Sequence, residues 1–266
     1  MTARTLSHRH LQAVGVTIPV HNEEERLPSA LQSLESACAE VEDSGLSLRV
    51  TLVLDACRDS SGAVARGWKW KVEGRSEYCV DVLECQFKNV GRARAVGCDA
   101  LVRAFNKTPT EMIWLATTDA DSRVPSGWLT AQLSEYQRGA DAWVGRVSVS
   151  DWARHRRKTA LRWQRDYEGE GRPIHGANLG FTADHYLGAG GFRALTSGED
   201  RALVQALLHE GANVHFDSDT RVATSSRSDA RAPEGFAAAL KRIEATTSRY
   251  FANHRAPSTL DERAAG

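Results

Sequence analysis

The sequence predicts an α/β fold with a central, mostly parallel sheet flanked by helices and a smaller region behind it. Three observations carry that prediction. Over the first two thirds, short apolar, β-branched runs alternate with segments of helical periodicity, the rhythm of a layered α/β fold. The connections are short, which favours strand–helix–strand units with crossovers of the usual hand. The length of 266 residues, with 41% apolar and 26% charged side chains, is ordinary globular composition with ample material for a substantial core.

The elements follow in order. Val14–Val20 reads as the first strand. Leu27, Leu31, Leu34, Cys38 and Val41 recur at steps of 4, 3, 4 and 3, placing all five on one helical face. Asn22 and Glu25 have the spacing of a capping box before that helix, and Pro28 lies early enough to be tolerated in its first turn. Leu48–Asp55 is the second strand and Cys79–Cys85 the third, with Val80, Val82 and Leu83 as its apolar members. Gly67–Ser76 reads either as a surface loop or as the end of a helix. A helix over Arg92–Phe105 and a fourth strand over Met112–Thr118 complete the first part.

From about Asp141 the rhythm changes. Ser150–Tyr167 is expected to be a helix in which Arg154, Arg156, Arg157, Lys158, Arg162 and Arg165 interleave with Trp152, Trp163 and Tyr167. Arg172–Phe181 is a loop and strand. Glu199–Glu210 is a strong helix that buries Leu203, Leu207 and Leu208. A strand pair spans Val214–Val222, a last helix lies near Pro233–Ala252, and Arg255–Gly266 is a polar tail. The whole is read as one domain, with a nucleotide-binding half at about 14–125, an acceptor-binding half at about 126–252 and a tail at 253–266.

Composition excludes several classes. The 34 basic and 34 acidic side chains cancel, leaving no long-range field to hold a polyphosphate, so no nucleic-acid partner is expected. No apolar run reaches the roughly 18 residues of a membrane span, and Met1–His10 lacks a signal-peptide core. Five scattered cysteines, Cys38, Cys57, Cys79, Cys85 and Cys98, have neither C-x-x-C nor zinc spacing and point to a reducing compartment. A cytoplasmic location is the resulting expectation. The neutral surface leaves room for a homodimer.

In open sheets of this kind, ligands bind beyond the carboxyl ends of the strands. Three polar clusters fall there: His21–Glu25, Asp55–Ser61 and Asp119–Ser122. In Thr118-Asp119-Ala120-Asp121, two carboxylates one residue apart on a turn suit a hard divalent cation and its phosphate oxygens. Taken alone, such a tripeptide is equally well an acidic turn after a strand.

The ordered series of motifs is more specific. Val16-Thr17-Ile18-Pro19-Val20-His21-Asn22-Glu23 is followed by Leu54-Asp55, then by Asn89-Val90-Gly91-Arg92-Ala93-Arg94-Ala95. Asp119-Ala120-Asp121 comes next, with Trp128-Leu129 behind it, then Gly176-Ala177-Asn178-Leu179-Gly180-Phe181, Gly190-Gly191-Phe192 and Gly198-Glu199-Asp200. Over about Val14 to Thr224 this succession resembles the inverting family 2 glycosyltransferases of GT-A fold.

The resemblance implies roles. Pro19, His21 and Glu23 would line the nucleotide pocket, and Asp55 would hydrogen-bond the base. Arg94, with Arg92, would approach the pyrophosphate. Asp119 would contact ribose or metal, and Asp121 would be the main ligand of a Mn²⁺ or Mg²⁺ ion. Asp200 would be the general base that deprotonates the acceptor hydroxyl. His175, Asn178, Trp152, Trp163 and Glu199 are candidates for the acceptor side. The donor would be a nucleoside-diphosphate sugar, with UDP favoured and GDP or dTDP open. The acceptor is unassigned, though the basic stripe at 154–165 suits an anionic one.

Bland readings stand beside these. Glu199 and Asp200 also suit the first turn of the following helix. Asn178 fits backbone support as well as an acceptor contact, and a loop hydrogen bond suits His175 better than catalysis. For His215 and His254, packing outranks a metal or phosphate contact. Arg227 lies either near the diphosphate or in a plain loop, and Cys57 falls in the second-strand loop. That loop, Asp55-Ala56-Cys57-Arg58-Asp59-Ser60, lacks the second acid often found next to the first in the family. The Gln-x-x-Arg-Trp of processive synthases is absent after Asp200, so a single-sugar transfer is expected. The acidic, glycine-free turn at His21–Glu25 argues against sugar-phosphate nucleotidyltransferases. No G-x-G-x-x-G or Walker loop follows the first strand. A non-catalytic sugar-nucleotide-binding protein is the remaining alternative.

Overall fold

The computed structural model describes residues 10–74, 76, 78–149, 151–152, 157–169 and 171–225. The chain start at 1–9, the helix expected over Pro233–Ala252, the tail Arg255–Gly266, and Arg154, Arg156, Arg227 and His254 lie outside these residues. The chain divides into two compact units. The first runs to Ser150 and resumes over Arg172–Ser225, while Asp151–Gly171 belongs to the second. Residues on both sides of position 125 therefore share the first unit.

The first unit is built on a seven-stranded sheet. Its strands are β1 (Ala13–Val20), β2 (Ser47–Asp55), β3 (Cys79–Cys85), β4 (Ile113–Thr117), β5 (Ala142–Val144), β7 (Leu179–Thr182) and β8 (Val214–Phe216). Their order is β3-β2-β1-β4-β7-β5-β8. The pairs β1–β2, β2–β3, β1–β4 and β5–β8 are parallel, and β7 runs antiparallel to both neighbours. A second, two-stranded sheet pairs β6 (Val147–Val149) with β9 (Val222–Thr224) in parallel.

Helices cover both faces. β1 shows why, because its side chains alternate between them. Gly15 and Thr17 face helix α3 (Val90–Ala104), where a Cβ on Gly15 would lie 2.8 Å from Leu101. Val14, Val16 and Ile18 consequently point to the opposite face and are fully buried. The other helices of this unit are α1 (Leu27–Glu42), α2 (Ser61–Glu73), α4 (Trp128–Gln137), α6 (Ala183–Gly188) and α7 (Glu199–His209). α1 packs against α2 and α4. Leu101 and Phe105 of α3, Tyr186 of α6 and Leu203 and Leu207 of α7 share one apolar cluster with Ile113, Leu115, Val144 and Phe181 of the sheet. Cys38 and Cys98 are core residues, and all five cysteines are free thiols.

Helix α3 deserves its own derivation because it delivers a charged side chain. Gly91, Arg94, Cys98, Leu101 and Phe105 recur at steps of 3, 4, 3 and 4, and all five are buried. The apolar stripe thus carries an arginine in its second position. Gly97 permits the close approach, since a Cβ there would stand 1.8 Å from the Thr17 hydroxyl of β1. One turn earlier, Arg94 is brought under the carboxyl ends of the central strands.

The structure corrects three sequence expectations about these elements and settles a fourth that was open. Asn22 and Glu25 do not form a capping box: the Glu23 carbonyl accepts from Arg26 N and Leu27 N, forming a turn that delays α1 to Leu27. Asn22 instead has φ +52°, and its Oδ1 accepts from Arg58 N at 2.7 Å. Leu208 is 48% exposed, because it lies one residue round the helix from Leu207; Val204 takes the core position beside Leu203. Val214–Phe216 and Val222–Thr224 do not pair with each other, because each finds a parallel partner in the 142–149 stretch. Gly67–Glu73 is helical within α2.

The second unit contains α5 (Arg157–Gly169), which continues past Tyr167; Asp151 and Trp152, expected within the helix, are not helical. Thr159, Trp163 and Tyr167 form its buried face, with Trp163 and Tyr167 stacked at 4.5 Å and 15°.

The Gly97 contact generates a test. Gly97→Ala forces α3 away from Thr17, and overpacking of this kind costs about 1–3 kcal/mol. At the ~2–4 °C per kcal/mol typical of this size, thermal unfolding is expected to fall by several degrees. An unchanged melting temperature contradicts the close packing of α3 on β1.

Candidate active site

The three polar clusters meet at the carboxyl ends of β1, β2 and β4, as the parallel topology requires. The β1 and β2 loops are laced together. Glu23 N donates to Ser61 Oγ at 2.7 Å, Glu24 N to Asp59 Oδ2 at 3.0 Å, and Ser60 N to Glu24 Oε2 at 2.8 Å. His21 Nδ1 is 2.5 Å from the Asp55 carbonyl, an arrangement in which the ring nitrogen is the donor. Pro19 lies one residue before the end of β1, half-buried, and Glu23 is buried with the Arg26 guanidinium 3.9 Å from its Oε2. Asp59 is held below the usual carboxylate range: slight burial opposes its charge, but hydrogen bonds from Ser61 and Glu24 outweigh it.

Asp55 Oδ1 accepts from Phe87 N at 2.6 Å and Lys88 N at 2.8 Å, and its Oδ2 accepts from Asn89 N at 2.8 Å. The Cys85 thiol also bonds to it, and that thiol is pushed up to about 11 by burial and then by the Asp55 charge. A carboxylate has about four acceptor sites, so this one is filled by the turn between β3 and α3. Asp55 therefore shapes the loop that starts α3. Asn89 then caps the helix, accepting from Arg92 N at 2.9 Å. Arg92 points outward, its guanidinium 4.1 Å over the Phe87 ring.

Arg94 is 3% exposed and works inside the protein. Nε donates to Thr117 Oγ1 at 3.3 Å, Nη2 pairs with Asp119, and Nη1 pairs with Glu199. Burial opposes its charge, but Asp119 and Glu199 outweigh that penalty and hold the guanidinium more firmly protonated. Glu199 is 4% exposed; burial pushes its carboxyl up against the pull of Arg94. The direction best supported by the geometry is a charged pair, since an unpaired guanidinium at this depth would be prohibitively desolvated. Gly176 closes the arrangement, because a Cβ there would lie 2.4 Å from the Arg94 guanidinium.

Asp200 occupies the first turn of α7, behind Gly198 at φ +77°. Its Oδ2 accepts from Gly176 N at 2.9 Å and its Oδ1 from Arg201 N at 2.7 Å. It therefore reaches across the chain as well as sitting in the helix start. His175, half-buried, precedes Gly176 and accepts Asn178 N through its carbonyl at 2.9 Å. Asn178 is fully buried. Its Oδ1 takes the indole N–H of Trp128 at 2.8 Å and of Trp143 at 3.4 Å, and its Nδ2 donates to the Arg146 and Thr220 carbonyls. Of its two expected roles, backbone support is the one observed. His215 packs too, stacked 5.3 Å from Trp143.

The Asp119–Asp121 turn is pinned from several sides. Arg123 and Ala223 exchange backbone hydrogen bonds, Ser122 Oγ donates to Thr224 Oγ1 at 3.0 Å, and Val124 N donates to Ser33 Oγ at 3.1 Å. Asp119 and Asp121 are each partly exposed and offer hard oxygen donors, so the pair fits a divalent cation in donor chemistry. Among the described residues, no group of three or more His, Cys, Asp or Glu is gathered to hold a metal. Trp152 and Trp163 lie in the second unit, ring centroids 5.7 Å apart. Thr117 and the wedge at Gly176 were not foreseen from the sequence. The signal for a buried Arg94 was present as a charge inside an apolar 3–4 stripe.

The model of glycosyl transferase family 2 matches residues 15–190. This chain belongs to that family. A curated relative, the undecaprenyl-phosphate 4-deoxy-4-formamido-L-arabinose transferase of Pseudomonas fluorescens, is 28% identical over 138 residues. That match covers 52% of this chain and 36% of the relative, so the chain spans only about a third of it. Among solved structures, the mannosyltransferase PcManGT of Pyrobaculum calidifontis, with GDP-Man and Mn²⁺, has a TM-score of 0.58 at 17% identity. It matches 93% of this chain and 66% of its own. S. aureus TarS with UDP reaches 0.56 at 16% identity, covering 92% and 73%. The glucosyl-3-phosphoglycerate synthase of Mycobacterium tuberculosis, with Mn²⁺, UDP and product, reaches 0.53 at 11%, covering 93% and 82%. These likenesses establish the GT-A fold for the family-2 chain. No helix among its described residues is long and apolar enough to cross a membrane.

Two outcomes follow from the geometry. Gly176→Ala drives a methyl group into the Arg94 guanidinium; the expected result is a folded protein about 1–3 kcal/mol less stable, measured by denaturant unfolding. A neutral substitution contradicts the placement of Arg94. For Asp59, a lowered carboxyl contributes stability that is present above its ordinary value of 3.8 and lost as pH falls through the lowered value. Asp59→Asn is therefore expected to be less stable than wild type at neutral pH, with the difference closing as the pH falls below 3.8 in the same assay.

Proposed function

We propose that this family-2 chain transfers one sugar from a nucleoside-diphosphate sugar to an acceptor hydroxyl, with inversion, in a metal-dependent and non-processive reaction. The observation that carries the reading is the shared guanidinium: Arg94 binds Asp119 of the aspartate turn and Glu199 beside Asp200, so donor and base groups belong to one cluster. The carboxyl ends of β1 and β4 supply a shelf for the nucleotide through Pro19, His21 and Glu23. Asp55, which organises the loop beside that shelf, is the proposed group at the base.

In this reading Asp121, with Asp119, would hold Mn²⁺ or Mg²⁺. When bound, that cation stabilises the negative charge on the departing diphosphate. Asp200 takes the proton from the acceptor hydroxyl as its oxygen attacks the anomeric carbon, and a single displacement inverts that centre. The Gly176 N–H holds the Asp200 carboxylate by one oxygen and fixes its direction. Arg94 and Glu199 set the surrounding charge without touching the acceptor. UDP is the favoured nucleotide, with GDP and dTDP the competitors; similar folds have been solved with UDP and with GDP-Man. An anionic acceptor is favoured by the name of the curated relative, an undecaprenyl-phosphate 4-deoxy-4-formamido-L-arabinose transferase.

The test separates binding from turnover. Wild type is titrated calorimetrically with UDP, GDP and dTDP, with and without Mn²⁺, and donor turnover is followed by release of the nucleoside diphosphate. Asp200→Asn is expected to keep metal-dependent nucleotide binding and lose about 10²–10⁴-fold in turnover, the range for removing a general base. Asp121→Ala is expected to abolish the metal-dependent part of binding. If no nucleotide binds wild type, the transferase reading is wrong; tight metal-independent binding without turnover favours a sugar-nucleotide-binding protein.

A further inference from the structure

Arg94 has a geometry that a simple buried ion pair does not need. Three of its N–H groups go to three different elements: Thr117 at the end of β4, Asp119 in the following turn, and Glu199 at the start of α7. The guanidinium is walled in by Gly176, whose added Cβ would approach within 2.4 Å, and by the Phe192 ring 5.9 Å away. The same Gly176 donates its N–H to Asp200. A cation that draws on Asp119 therefore competes with Arg94 for that carboxylate, and Arg94 is attached on its other side to the residue before Asp200.

We propose that Arg94 is a positioning residue that links occupancy of the Asp119–Asp121 turn to the placement of the Glu199–Asp200 segment. The inference rests on the transferase reading above and extends it from two sites to a coupled pair. Linkage of this kind is reciprocal: a change at Glu199 alters affinity at the turn by the factor with which occupancy of the turn alters the Glu199 segment. Arg94 with Glu199 neutralised has a single full charge to hold, so it grips Asp119 more tightly and the turn becomes a poorer cation site. Asp200 supplies the control, because it carries the same charge one residue away and makes no hydrogen bond to Arg94.

The experiment uses the full chain with Mn²⁺ and UDP as probes, or Mn²⁺ and GDP if wild type prefers that nucleotide, in calorimetric titration. Glu199→Gln is expected to weaken metal-dependent nucleotide binding about 5–30-fold, within the usual span of site-to-site coupling. Asp200→Asn, which removes an equal charge, is expected to weaken it less than threefold. In an Arg94→Lys background, where one ammonium replaces the fork, Glu199→Gln is expected to have little further effect. Hydrogen exchange gives a readout independent of affinity: Mn²⁺ and UDP are expected to slow exchange at the amides of Gly176 and of 200–203 in wild type, and not in Glu199→Gln. Should Arg94→Lys fail to fold, the comparison of Glu199→Gln with Asp200→Asn decides alone. Equal effects of those two substitutions, or no effect of either, overturn the inference while leaving the transferase reading intact. A wild-type protein that binds neither nucleotide with Mn²⁺ overturns the transferase reading itself, and this inference with it.

Discussion

A single buried guanidinium organises the charged end of this molecule. Arg94 enters the interior because it occupies a core position on α3, between Gly91 and Cys98 on the same helical stripe. A cation at that depth is tolerable only with partners, and it has two carboxylates and a hydroxyl. Those partners come from the end of β4, the turn after it and the start of α7, which are otherwise separate parts of the chain. Removing one partner leaves a buried charge unbalanced, so the three segments are constrained together. The packing that permits this is just as specific: glycine at 97 lets α3 approach β1, and glycine at 176 leaves space for the guanidinium.

The same logic explains the neighbouring loops. Asp55 lies at the end of β2 and turns its carboxylate into the turn after β3, where three backbone N–H groups would otherwise be left without partners. Residues 22, 56 and 88 each follow a strand of the parallel sheet and each has φ between +50° and +54°. Non-glycine residues in this region are uncommon, and Ala56 has no polar side chain to favour it. Three such turns send the chain sharply away from the sheet; the laced contacts between 23–24 and 59–61 hold the first two, and Asp55 holds the third. The shelf at the strand ends is thus a rigid, hydrogen-bonded construction before any ligand arrives.

Much of the framework was legible in the sequence because period and polarity agreed. The apolar stripe of α1, the first four strands and α7 lie where β-branched runs and 3–4 spacing put them. What escaped depended on distant partners. The start of α1 moved because the Glu23 carbonyl forms a turn that no local capping pattern announces. The strands at 214–216 and 222–224 paired elsewhere because their register is set by 142–149, which the intervening chain does not reveal. At the site, motif order identified the residues that cluster but not which way their side chains face. The protein contacts of Asp55 and Arg94 escaped the sequence, since hydrogen-bond partners more than twenty residues apart are invisible to spacing. Asn178, read as open between two roles, is resolved by two indole N–H groups from Trp128 and Trp143.

Those contacts bear on how such a site is divided. Groups that touch a ligand must keep free lone pairs and partial exposure, and Asp119, Asp121 and Asp200 retain the exposure. Groups that hold them in place are buried and hydrogen-bonded within the protein, as Asp55, Arg94, Glu199 and Asn178 are. Asp119 belongs to both sets, because it is about one-third exposed and at the same time paired with Arg94. A carboxylate in that position is restrained from within and accessible from without. It is therefore the point at which an event on the surface is felt by the buried network, and through Arg94 by the segment that carries Asp200.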